Sequence, residues 1–117
     1  MSEDFSLREK FKRLANQEYI LVHITAHAFS RLKERKVRDY RKLNKGTLKN
    51  IILNTIRDGR YKIGKSDIKI ATKKYVLACT IQENKLVVKT VMQVSKEFWE
   101  KFCKKAKLTP WKKIIID

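Results

Sequence analysis

The residues best suited to chemistry stand together in ITAHAFSRLKERKV, residues 24–37, where His27, Arg31 and Arg35 recur at every fourth position. On a helix turning about 100° per residue the three share one face, Arg31 lying about 40° and Arg35 about 80° from His27. Ala28, Phe29 and Leu32 fall between about 100° and 200° on the same wheel, so the polar triplet borders the apolar side instead of opposing it. A histidine titrates near neutral pH and can act as general acid or base, while two guanidiniums can hold a phosphate and its developing charge. That set suits cleavage of RNA by its own ribose 2′-hydroxyl. Spacing alone fits a blander reading better: Arg31 and Arg35 paired with Glu34 or Asp39 on a solvated face, and His27 filling a helix N-terminus.

The chain around this helix is strongly cationic. Lys and Arg number 29 against 12 acidic residues, a formal net charge of +17. Such an imbalance repels itself unless a polyanion offsets it, and nucleic acid is the natural partner, RNA before DNA. Lysine favoured as a surface residue by an AT-rich genome or a hot habitat accounts for the lysines but not for so little Asp and Glu. The N-terminal segment is nearly neutral, with Arg8, Lys10, Lys12 and Arg13 set against Glu3, Asp4, Glu9 and Glu18; the excess begins after residue 30. The connector VRDYRKLNKG, residues 37–46, offers Arg38, Arg41, Lys42 and Lys45 as phosphate ligands. Lys73 and Lys74 precede Tyr75, an aromatic that either stacks a base while the lysines hold its phosphate or packs across strands; both readings stand.

Other chemistries find little support. There is no P-loop, GxGxxG, HExxH or GxSxG pattern, so no cofactor is expected. His23 lies four residues before His27 without a third ligand, and a structural or surface role suits it. Cys79 and Cys103 lack metal-ligand spacing and read as reduced, buried apolar residues. No apolar run approaches a membrane span and residues 1–15 lack a signal-peptide core, so the expectation is a cytoplasmic chain.

The elements that must position these residues follow from periodicity. Length suits one domain, residues 1–117. Ser6, with Glu9 three residues on, caps a helix over 6–17; a short strand covers 19–24; Thr25 caps the motif helix over about 26–36. Thr47 caps a third helix that Gly59 ends. The period then changes, and residues 60–94 read as an antiparallel meander of about four strands, with Gln82-Glu83-Asn84 as a hairpin turn. Ser95 caps a C-terminal helix over about 95–107, where Phe98, Trp99 and Phe102 belong to the core. Trp111 and Ile114-Ile115-Ile116 are too apolar to hang in water, so the tail 108–117 packs on the domain or pairs as an edge strand. The class is α+β: N-terminal helices on one face of a curved antiparallel sheet, and a C-terminal helix.

The pattern H-A-x-x-R-x-x-x-R opening a helix after a short strand, then a basic connector, a G-R-Y-x-I-G turn and a V-V-x-T-V strand, resembles a small domain family related to RelE/ParE-type toxins. The resemblance covers about residues 19–93. It implies the compact fold shared by RelE, barnase-like and colicin-like ribonucleases, metal-independent cleavage of RNA, and an antitoxin or host protein as partner. It marks His27, Arg31 and Arg35 as catalytic and Thr90 as a phosphate or base contact. The longer connector, ending in a full helix, departs from that pattern and puts substrate and activity in question. Two alternatives are a nonenzymatic regulator of viral or plasmid type, gripping phosphates through the connector, and an inhibitor that docks on a host nucleic-acid-processing complex through residues 111–116.

Overall fold

Ser6 starts the first helix, α1 (Leu7–Ala15): from an extended backbone its hydroxyl oxygen accepts the Glu9 N–H at 3.2 Å and its hydroxyl donates to the Glu9 carboxylate. The same device opens the helix Lys96–Lys105, where Ser95 accepts the Phe98 N–H at 3.1 Å. The computed structural model describes residues 6–28 and 45–116, with 45–47 described by backbone alone. Strand β1 (Tyr19–Ile24) follows α1, and residues 26–28 are helical. Helix α2 is Lys45–Asp58, so it begins two residues before the Thr47 cap expected from sequence. Strands β2 (Arg60–Ile63), β3 (Ile68–Ala71), β4 (Tyr75–Gln82) and β5 (Lys85–Gln93) come next, then α3 (Lys96–Lys105), β6 (Lys107–Leu108) and β7 (Lys113–Ile116).

The fold is α+β, but its sheet has seven strands in the order β6-β2-β3-β4-β5-β1-β7. The meander β2 to β5 is antiparallel as expected; β1 instead pairs in parallel with β5 on one side and β7 on the other. The expected four-stranded antiparallel sheet is therefore a mixed one, because the first and last strands join its far edge. The β4–β5 turn carries Glu83 at φ 51° and Asn84 at φ 63°, the left-handed pair that a two-residue hairpin of matching twist requires. Register slips between Ala78 and Cys79, leaving Lys89 without a facing partner; this bulge bends the pair and adds twist.

The helices divide between the two faces. Phe11 and Leu14 of α1 and Leu48, Ile52 and Ile56 of α2 pack on Ile20, Val22, Ile68, Ile70, Leu77, Leu86 and Val88. Helix α3 takes the opposite face, where Phe102 and Ala106 cover Ala71 and Val76. This corrects the expectation of helices on one face: Ala71 and Val76 alternate with Ile70 and Leu77 and so point the other way.

The tail both packs and pairs. Trp111 is fully buried, lies edge-on to Phe11 at 5.2 Å, and donates from Nε1 to the Leu14 carbonyl oxygen at 2.8 Å. That carbonyl belongs to the last turn of α1 and also accepts the Gln17 N–H at 3.1 Å. Thr109 ties the same segment to α2 by donating from its hydroxyl to the Ile56 carbonyl at 2.5 Å.

Gly59 ends α2 without a left-handed conformation. A Cβ there would collide with the Thr55 carbonyl oxygen and lie 2.8 Å from that of Ala71, so glycine is needed for close approach of two backbones. Gly59→Ala is expected to cost about 2–3 kcal/mol in urea unfolding, the range of an overpacked core.

Cys79 sits in the core, where burial, with a smaller contribution from Asp67, pushes its thiol well above the ordinary cysteine range. Cys103 is half-exposed on α3, a correction to its expected burial. Thiol titration of the native chain is expected to find one reactive cysteine, and two after unfolding.

Candidate nucleic-acid interface

Alternation along each strand sends the core residues toward α1 and α2 and their neighbours to the other face. Register then sets those neighbours in rows across the sheet. Lys62 faces Lys69, Lys69 faces Ala78, and Ala78 faces Thr90. The next row is Thr80, Val87 and His23. A third runs Gln82, Lys85, Leu21 and Ile115, and Tyr19 beside Lys113 completes the surface. At about 4.8 Å per strand, the first row extends about 14 Å from Lys62 to Thr90.

Helix α3 covers the adjoining row Ala71–Val76–Met92. The rows beyond it leave Ala78, Thr80, Thr90 and Leu21 half-exposed, and Lys62, Lys69, His23 and Gln82 exposed. Two apolar side chains stand in water here, Tyr19 at 44% exposure and Ile115 at 49%. Lys62, Lys69, Lys85 and Lys113 supply the charge, and the rows contain no carboxylate.

His27 follows the C-terminal end of β1. Thr25 directs both its N–H and its hydroxyl to the Val88 carbonyl, each at 3.2 Å, and its oxygen accepts the Ala28 N–H at 3.1 Å. The expected cap is thus in place, and it starts the helical residues 26–28 against the bulge at Lys89, with Thr90 next along β5. His27 is exposed in that first turn.

The other expected site residues divide as follows. Arg31, Arg35, Arg38, Arg41 and Lys42 lie outside the described residues, and Lys45 opens α2 as backbone. Thr90 joins the lysine rows. Lys73 and Lys74 are exposed in the β3–β4 turn, which Thr72 braces by accepting the Lys74 and Tyr75 N–H groups. Tyr75 points to the α2 side, half-buried against the main core, and lines a cleft of about 640 Å³ with Asn54, Asp58 and Trp99. Tyr75 thus packs on the main core, and Lys73 and Lys74 line the same cleft. Sequence reasoning missed Lys62, Lys69, Lys85, Lys113 and Tyr19. The alternating lysines of KIGKSDIKI were the available signal for the first two.

Among the described residues no helix is long and apolar enough to cross a membrane, and no three His, Cys, Asp or Glu side chains are grouped to hold a metal ion. Comparison with family models, with curated proteins and with solved structures returns no match.

Proposed function

We propose that the chain binds single-stranded nucleic acid, RNA in preference to DNA, across the exposed rows of its sheet. The observation that carries this is Lys62 directly opposite Lys69 in rows whose own residues include no carboxylate. Like charges on facing residues destabilise a strand pair, and a phosphate between them removes that cost. Tyr19 offers a ring for a base to stack on, with Lys113 beside it for the phosphate. Thr80, Thr90 and Gln82 supply hydroxyl and amide groups for base edges and 2′-hydroxyls. The test is fluorescence anisotropy with a short RNA strand over a range of salt. With four lysines on phosphates, log affinity should fall against log salt with a slope of about −3. Affinity independent of salt would overturn the proposal.

A second reading, metal-independent cleavage of RNA in the manner of RelE-type toxins, is favoured by one observation: Thr25, two residues before the exposed His27, is bonded to Val88, two residues before Thr90 on β5. Incubation of RNA with wild type and His27→Ala in chelator, at matched binding, should show the variant about 100-fold slower or more, as for loss of a general acid or base. Intact RNA with wild-type binding would leave a nonenzymatic regulator. Docking on a host complex through residues 111–116 is left to the exposed Ile115 and the outer edge of β7, since Trp111 is in the core.

A further inference from the structure

We propose that the cleft between α3 and the β2–β3 hairpin is a pocket for a nucleotide carrying more than one phosphate charge. Two sources have this chemistry: a free nucleoside diphosphate, and the 5′-phosphorylated end of a strand lying on the sheet; the second rests on the binding just proposed.

The cleft holds about 470 Å³, within the range of small-molecule sites. Lys62 and Lys69 line it from the sheet, and Lys101, Lys104 and Lys105 from α3. Asp67 is its one carboxylate, so five cations face a single anion. Among the described residues no ion pair holds any of the five.

Position in the helix accounts for part of this. Lys104 and Lys105 lie in the last turn of α3, where cations oppose the helix dipole favourably. It does not account for the rest. Lys101 and Lys105 repel each other at i, i+4, and Lys62 and Lys69 repel each other across the strand pair. An internal phosphodiester brings one negative charge into that field, whereas a phosphate monoester brings nearly two at neutral pH. The pocket is therefore matched to a terminal phosphate or a diphosphate.

The remaining wall is aromatic. Phe98 is half-buried and stacks on Phe102 with centroids 5.3 Å apart and ring planes at 18°. Such a wall receives a base or ribose beside the phosphate. Asp67, half-exposed at the base of the β2–β3 turn, can accept from a ribose hydroxyl, a group inorganic phosphate lacks. The row that starts in the cleft with Lys62 and Lys69 continues to Ala78 and Thr90, so a strand anchored by its 5′ end has its next nucleotides on the exposed face.

The test uses the full chain and RNA of about ten nucleotides, a length suited to such grooves, in 5′-phosphate and 5′-hydroxyl forms. ADP and inorganic phosphate are titrated separately. The 5′-phosphate is expected to raise affinity about 10-fold. The double variant Lys101→Gln, Lys105→Gln should erase that difference while the 5′-hydroxyl strand binds as before, with an unchanged melting temperature. ADP binding that the same variant weakens, with no discrimination between strand ends, assigns the pocket to free nucleotide. ADP binding without any strand binding overturns the sheet as an interface and leaves the pocket standing. Equal affinity for both strand ends with no ADP binding, or inorganic phosphate binding as tightly as ADP, overturns the pocket.

Discussion

A chain carrying Lys62→Gln, Lys69→Gln and Lys85→Gln is expected to bind single-stranded RNA about 50-fold more weakly than wild type at physiological salt. Each phosphate contact contributes about 0.7 to the salt slope of a single strand, so three lost contacts flatten the slope by about 2. Extrapolated from molar salt, where counterion release vanishes, that slope yields the stated loss. The control removes Lys12 and Lys49, both exposed on helices across the sheet. If that pair flattens the slope as much per lysine, the net charge of the chain binds and the rows do not. Stability supplies a second readout of opposite sign: separating Lys62 from Lys69 removes a cross-strand repulsion, so the triple variant should gain up to about 0.5 kcal/mol. A substitution that merely damaged the sheet would weaken binding and stability together.

Trp111→Ala is expected to cost about 4 kcal/mol in urea unfolding, the range for truncating a buried aromatic and a large share of a small domain's stability. The side chain has no exposed surface, meets Phe11 edge-on, and donates to the Leu14 carbonyl. Trp111→Phe keeps most of the area and loses the hydrogen bond, so its cost should be about 1–2 kcal/mol. An alanine variant with an unchanged midpoint would mean that residues 107–116 add nothing to the stability of the rest. The expected loss instead makes the tail part of the core, joined to α1 across almost the whole sequence.

What could be read from sequence was local. Ser6, Thr25 and Ser95 each cap where expected, because a cap depends on a side chain and an N–H three residues on. Gln82-Glu83-Asn84 turns the hairpin for the same reason, and the burial of Trp111 follows from its size and polarity. Strand partners are another matter. YILVHI and KIII carry the composition of strands, but nothing within them says that they lie side by side and parallel. The rows inherit that gap: alternation reveals that Lys62 and Lys69 leave the core, and only register places Thr90 and His23 near them. The face that Tyr75 takes was not legible, since YVLACTIQ is apolar at successive positions and gives no sign of where its first ring points.

The placement of β1 has a consequence for how the protein comes into being. Both strands that flank it are synthesised long after it, β5 at residues 85–93 and β7 at 113–116. At about 5–20 residues per second, YILVHI waits on the order of 5–20 seconds for its last neighbour. Contacts so distant along the chain also slow folding once synthesis is over. The lysine rows take His23 and Leu21 from the earliest strand and Ile115 from the latest. A nascent chain emerging among ribosomal RNA therefore has its cations before the whole surface that arranges them, which is completed only when β7 docks.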